Sequence, residues 1–377
     1  MGGPTLFHRG YQDEVVKSPN KRARNIRLLD RALEESPNDA NLLMNLGMEL
    51  ASMGRGEAAL EQYREAFTVF QLAGKELQAP ELREALVTQF ATHLLGHGQN
   101  KSALSILNSP VASASALTAT QEFLVGLAHL RLSKHKTAAD AFRKSLKKRH
   151  LSSLTPASEQ VVNGGVDHCL AICLAKMEDE GAEKHFEAAL SQKPDSISIG
   201  VDFARYLNNK GNTIRALQLL HGLLGNDEEH LPVWQTGAAI AIKQADTIEF
   251  ATEWIAEAER FYPKDKVIQR QKAELLMLTN LCSEALKIWQ DLAKNKTIEA
   301  LSASVLCSLV SDRHIDCPKN LEKPVSAAFI AWYRRLLSFG QETVIERINS
   351  RIKVLGQSLP TAKERLQSAF KEAHSAN

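Results

Sequence analysis

Residues that break helices are scarce in this sequence. Only 12 prolines and 20 glycines interrupt 377 residues, fewer than an architecture of short strands and tight turns needs, and Ala, Leu, Glu and Lys fill most of what remains. Helices are therefore expected throughout. Cysteine is scarcer: Cys169, Cys173, Cys282, Cys307 and Cys317 are odd in number and lack both the dense spacing of a disulfide framework and the C-x-x-C pairs of a zinc site. That pattern fits a reducing, cytoplasmic setting with no bound metal or other cofactor. Neither charge dominates, with 46 Lys and Arg against 44 Asp and Glu for a net +2. No overall field recruits nucleic acid or a membrane surface. Apolar runs such as Val305 to Val310 are too short to cross a bilayer, so no membrane insertion is expected. Met1 to Tyr11 holds no apolar stretch of the secretory kind, and Leu6 stands where a myristoylation signal after Gly2 wants Ser or Thr.

The usual motifs of catalysis are also missing. There is no G-x-x-x-x-G-K-[ST] phosphate cradle and no G-x-S-x-G nucleophile elbow, so no catalytic residue is assigned. His168, Cys169 and Cys173 are close in sequence but fall on an apolar helix face, where buried Cys is common. His93 and His97 lie four apart without a third ligand. Glu178-Asp179-Glu180 reads as a solvated turn, and Gly164-Gly165 as a linker. Trp234, Trp254, Trp289 and Trp332 sit at apolar helix positions and read as core. Lys147-Lys148-Arg149 and Arg334-Arg335 lack the interleaved aromatics of a base-stacking surface.

The sequence does contain a period. A pattern of apolar helix, short turn with Gly or Asn, and second helix recurs, marked by a small residue at Ala59, Ala103, Ala138, Ala182, Ala216, Ala251 and Ala285. The steps are 44, 35, 44, 34, 35 and 34 residues, and the long ones coincide with loop-like segments at Gln71 to Pro80 and His150 to Gly164. Four residues after each marker stands a bulky residue: Tyr63, Leu107, Phe142, Phe186, Leu220, Ile255 and Trp289. Three further on come Ala66, Pro110, Ser145, Ala189, Leu223, Ala258 and Leu292. On a helix of 3.6 residues per turn these positions share one face, with the small residue admitting a neighbouring helix and the large one filling the gap beside it. Pro37, Pro194 and Pro263 follow second helices and stop them.

This pattern resembles the tetratricopeptide repeat, most clearly at Leu43, Leu46, Gly47, Leu50, Ala59, Tyr63 and Ala66, and again at Ala182, Phe186, Ala189 and Pro194. Pro110 and Leu223 depart from it. An unspecialised helical bundle is the competing reading, but it gives no reason for four steps of 34 or 35. The resemblance implies an all-α solenoid, a right-handed superhelix of helix-turn-helix repeats spanning residues 25–296, with capping helices over 297–358 and a terminal helix or tail over 359–377. It also implies a non-catalytic scaffold that binds a protein or peptide on the concave surface lined by first helices. In that phase Asn41, Asn45, Thr88, Gln89, Thr92, Asp202, Arg205, Asn208, Asn209, Arg270, Gln271 and Glu274 point into the groove. The alternative for these residues is simple hydration.

Residues 1–24 have another character. Phe7-His8-Arg9-Gly10-Tyr11, followed by Lys21, Arg24-Asn25, Leu28-Leu29, Ala32-Leu33 and Pro37-Asn38-Asp39, resembles the junction in bacterial family 2 glycosyltransferases where the catalytic domain passes into tetratricopeptide repeats. That resemblance would place His8 near the sugar-nucleotide diphosphate or its metal. It implies an α/β catalytic domain with an acidic metal-binding motif upstream of this point, missing from this chain, and so offers an alternative to the scaffold reading: the C-terminal repeat portion of such an enzyme. The step from Ala32 to Ala66 is again 34, so the helix around Ile26 to Leu33 reads as a second helix without its first. The basic residues Lys17, Lys21, Arg22, Arg24 and Arg27 can equally form a solvated helix face.

Overall fold

The computed structural model describes residues 19–73, 79–151, 153–155, 158–225 and 229–375. Twenty-one α-helices and three short 3-10 turns account for the secondary structure, and no strand occurs among the described residues. The chain divides into two compact units, residues 1–199 and 200–377.

In the first unit α1 (Pro19–Glu35) packs on α2 (Ala40–Ser52), and four hairpins follow. They are α2 with α3 (Gly56–Leu72), α4 (Pro80–Gly96) with α5 (Asn100–Leu107), α6 (Ala119–Arg131) with α7 (His135–Lys148), and α9 (Gly165–Lys176) with α10 (Ala182–Gln192). The short α8 (Glu159–Val162) lies in the second loop-like segment. First helices touch one another in turn, α2 to α4, α4 to α6 and α6 to α9, so each hairpin buries its neighbour's open face.

The division falls within α11 (Ile197–Asn209). The second unit continues through α12 (Thr213–Leu224), α13 (Leu231–Ala241), α14 (Ile248–Phe261), α15 (Lys266–Leu278), α16 (Cys282–Ala293) and α17 (Ile298–Val310). It closes with α18 (Glu322–Ser338), α19 (Glu342–Ser350), α20 (Ile352–Ser358) and α21 (Pro360–Ser375). Helix α17 is buried almost all round, covered by α16 on one side and α18 on the other.

The recurring small and bulky residues explain the stacking. Ala59, Ala103, Ala138, Ala182, Ala216, Ala251 and Ala285 have no exposed surface, and the seven bulky partners are exposed by 1% or less. Burying each large side chain contributes on the order of 2–3 kcal/mol of transfer free energy, and the missing bulk of the alanine lets the next helix approach. The third position follows its chemistry: Ala66, Ser145, Ala189 and Ala258 are fully buried, while Pro110 is exposed and Leu223 and Leu292 are half-buried.

A backbone device repeats with the same phase. Each hairpin turn but one contains a residue of left-handed conformation: Gly54, Gly98, Ser133, Glu178, Gly211, Asn280, Asp312 and Gly340, with φ between 57° and 86°. The next residue donates its N–H back to a carbonyl five residues earlier, as in Arg55 to Leu50 (3.0 Å), Gln99 to Leu94 (2.8 Å) and Leu281 to Leu276 (2.7 Å). This is the Schellman closure of a helix C-terminus. The exception joins α13 to α14, where a 3-10 turn at Ala245–Thr247 takes its place and the Thr247 hydroxyl donates to the Ala241 carbonyl (2.6 Å).

Candidate functional site

The residues expected to line the groove fall into two groups. In the first unit they are mostly engaged by their own chain. The Asn45 amide donates to Asn41 Oδ1 (3.2 Å), and the Thr92 hydroxyl donates to the Thr88 carbonyl (2.7 Å). Thr88 itself donates to the Glu84 carbonyl (2.8 Å) and accepts from Gln121 Nε2 (3.2 Å). Gln89 is half-buried on the same helix. The loop before α8 is tied to this face: the Glu84 carboxylate accepts from the Thr155 N–H (2.9 Å) and hydroxyl and from the Leu154 N–H (3.4 Å), and the Ser158 N–H donates to Thr120 Oγ1 (3.1 Å).

In the second unit Arg205, Asn208, Asn209, Arg270 and Glu274 come together, joined by Gln271. They line two adjoining pockets of about 590 and 390 Å³ that share Ala239, Lys243 and Arg270. The walls come from the first helices α11, α13 and α15, with Glu299 of α17 and one face of α18. Asp202, also on α11, stands behind Arg205 at 3.5 Å. Helical spacing places these residues on one face, since Arg205, Asn208 and Asn209 lie at i, i+3 and i+4, as do Arg270 and Glu274 at i and i+4.

Glu274 is the buried anion of the site. It pairs with Arg335 of α18, whose second nitrogen donates to the Ile242 carbonyl at the end of α13 (2.8 Å). The same guanidinium lies 5.6 Å from the Trp332 ring centroid and 5.8 Å from that of Phe339. Burial pushes the Glu274 carboxyl above its ordinary range, and the charges of Arg335 and Arg270 only partly oppose this. Arg270 in turn pairs with Glu299 (2.9 Å), and Arg205 donates to Thr236 Oγ1 (3.2 Å). Gln271, almost wholly buried, donates from Nε2 to the Gln235 carbonyl (2.7 Å).

Sequence spacing does not reveal the α18 wall. Arg335 is visible there only as part of a basic doublet and Trp332 only as core. Trp332 is indeed mostly buried, yet it lines the larger pocket. Their role depends on contacts made 61 and 93 residues away in the chain, with Glu274 and Ile242. Thr236 and Lys243 stand one period of 34 after Asp202 and Asn209, so the unbroken step from Ala216 to Ala251 is a signal able to place them on this face; Gln235 lies beside Thr236 on α13.

The other sequence candidates do not converge. Cys173 is fully buried, and burial raises its thiol to about 11, while His168 lies 6.2 Å from the Phe186 ring. Among the described residues no group of three or more His, Cys, Asp or Glu is placed to hold a metal ion. No helix there is long and apolar enough to cross a membrane. His97 ends α4 with Nδ1 against the His93 carbonyl (2.9 Å). His8, Arg9, Gly10, Tyr11 and Lys17 lie outside the described residues.

No protein-family profile matches the chain, and no curated protein matches it. Solved structures do. A tetratricopeptide repeat protein from Parabacteroides merdae aligns with TM-score 0.50 and 13% identity, over 77% of this chain and 98% of its own. PilF of Pseudomonas aeruginosa aligns with TM-score 0.46 and 14% identity over 62% and 97%. YrrB, a TPR protein described as having an unusual peptide-binding site, gives 0.35 and 18% over 65% and 97%. The first of these alignments, with the all-helical hairpins, defines the class: an all-α, tetratricopeptide-like solenoid fold.

Proposed function

We propose that this protein is a non-catalytic repeat scaffold that holds an extended segment of a partner protein in the groove of its second unit. The observation that carries the proposal is the convergence of Arg205, Asn208, Asn209 and Arg270 on adjoining pockets built from successive first helices. A groove that sets an apolar wall, with Trp332 and Phe339, beside several fixed polar groups suits a chain that must be oriented as well as bound. The first-unit residues Asn41, Asn45, Gln89 and Thr92 are secondary in this reading, because most of them are bonded within their own chain. The experiment compares partners captured from the protein's own lysate by the native chain and by Arg205→Ala/Asn208→Ala/Asn209→Ala. Loss of a specific subset of partners is expected, with the helical circular-dichroism signal unchanged. Recovery of every partner at native levels contradicts the proposal.

A second reading has its own support. Helix α1 carries the Arg24-Asn25 and Leu28-Leu29 pairs of the glycosyltransferase junction, and Asn25 of that motif bonds Glu49 on α2 (2.7 Å). In this reading the scaffold accompanies a family 2 catalytic domain. An in-frame acidic-motif domain in the coding DNA before Met1 is its expected signature.

A further inference from the structure

The groove has an unequal supply of charge, and its carboxylates are already engaged. Its lining carries four cations, Arg205, Lys243, Arg270 and Arg335, against two carboxylates, Glu274 and Glu299. Glu274 is engaged by Arg335, and Glu299 by Arg270. An incoming Lys or Arg would find no uncommitted carboxylate on these walls. Lys243 is the opposite case. It is exposed, lines both pockets, and has no side-chain hydrogen bond or ion pair among the described residues.

A second observation concerns Gln271, which lines the smaller pocket and is only 1% exposed. Its Nε2 donates to the Gln235 carbonyl, so the amide cannot be turned over without placing two acceptors against each other. Oε1 is thereby fixed as an acceptor, and it has no partner. A buried carbonyl in that state is completed by a donor from outside the chain, a water or a ligand N–H. A backbone N–H of an extended segment is such a donor, and it is the group that every residue but proline offers.

Resting on the groove reading above, we propose that the ligand is an extended acidic peptide, with an Asp or Glu side chain paired to Lys243 and a backbone N–H donated to Gln271 Oε1. The aromatic wall of Trp332 and Phe339 then faces whichever apolar residue accompanies the acidic one.

A random twelve-residue peptide display library, selected on the purified full chain, tests this whatever the native partner is. Recovered sequences are expected to be enriched in Asp and Glu. Their binding should fall about tenfold with Lys243→Glu, a reversal of an exposed charge, and severalfold with Lys243→Gln. The best sequence, remade with one N-methyl group at each backbone position in turn, should lose at least tenfold at one position and little at its neighbours. If neutral or basic sequences are recovered, and their binding depends on Arg205, Asn208 and Asn209 but not on Lys243, the acidic assignment is overturned while the groove stands. If no sequence is recovered, or binding ignores all of these substitutions, both are overturned. Thermal melts of the variants establish that each is folded.

Discussion

At the scale of single residues, this fold rests on close pairs between a glycine and a ring. A Cβ on Gly126 would lie 2.4–2.8 Å from the ring of fully buried Phe142, and one on Gly237 would lie 2.3 Å from Trp254, whose Nε1 is held by the Trp234 carbonyl (2.9 Å). Gly126→Ala is therefore expected to destabilise by about 1–3 kcal/mol, the range for overpacking a filled core. Gly56→Ala is the control: its Cβ would meet only the ring of exposed His97, which can swing into water, so a change within about 0.5 kcal/mol is expected. Urea midpoints measure both. Arg335→Met makes a different kind of test. It strips a buried carboxylate of its main partner and should cost about 3 kcal/mol, the lower end for a broken buried pair because Arg270 also faces Glu274. Adding Glu274→Gln to that variant should recover most of the loss in a denaturation cycle. The small and bulky positions are legible in the sequence because their spacing alone places them on one helix face. The glycine positions opposite the rings are visible only at Gly47, because a ring contact between two helices leaves no periodic mark unless every repeat uses the same residue.

At the scale of elements, the hairpin turns show what a single sequence hides. Gly54, Gly98, Gly211 and Asn280 can be anticipated as turn residues because glycine and asparagine tolerate positive φ. Ser133 and Glu178 adopt the same conformation with φ of 57° and 59°, and nothing in their chemistry announces it. The surrounding helices impose it. Gly340, between α18 and α19, closes the same kind of turn beyond the point where the small-residue pattern fades, so the backbone repeat outlasts the side-chain repeat. The sequence leaves residues 359–377 as a terminal helix or tail; in the structure Ala362 and Leu366 of α21 are buried and Glu322 caps its start by accepting from the Thr361 N–H and hydroxyl, both at 3.0 Å. Glu322→Ala should cost about 1 kcal/mol locally and speed hydrogen exchange of the α21 amides while leaving α17 unchanged. Burial raises the Glu322 carboxyl, but the hydrogen bonds of Ser326 and Thr361 outweigh this and hold it below its ordinary range. A carboxyl depressed in the folded state stabilises above its unfolded pKa of about 4.3 and loses that contribution as pH falls through the folded value. The α21 protection should therefore fade on acidification in the native chain and be insensitive to the same change in the variant.

At the scale of the molecule, fold and function are unequally readable. The repeat period reports how neighbouring hairpins bury each other, and that is a local property. The groove depends on which polar side chains remain unengaged after the chain has satisfied its own bonds, and no spacing encodes that. Asn41, Asn45, Gln89 and Thr92 stand in the right phase but belong to a face where side chains bond their own helix and a loop is tied to Glu84. Arg205, Asn208, Asn209, Arg270 and Glu274 stand in the same phase and surround adjoining pockets. Those walls carry Arg205, Lys243, Arg270 and Arg335, of which three face a carboxylate (Asp202, Glu299 and Glu274) and Lys243 does not, so a nearly neutral protein can still carry a biased binding surface.

The most direct test of this account places a photo-crosslinking amino acid at Ala239, which lines both pockets, and in a second protein at Glu253, exposed on the second helix α14. Irradiation in the native cell should give a discrete partner adduct from position 239, lost with Arg205→Ala/Asn208→Ala/Asn209→Ala, and none from position 253. Equal adducts from both positions, or a position-239 adduct indifferent to those substitutions, would contradict it.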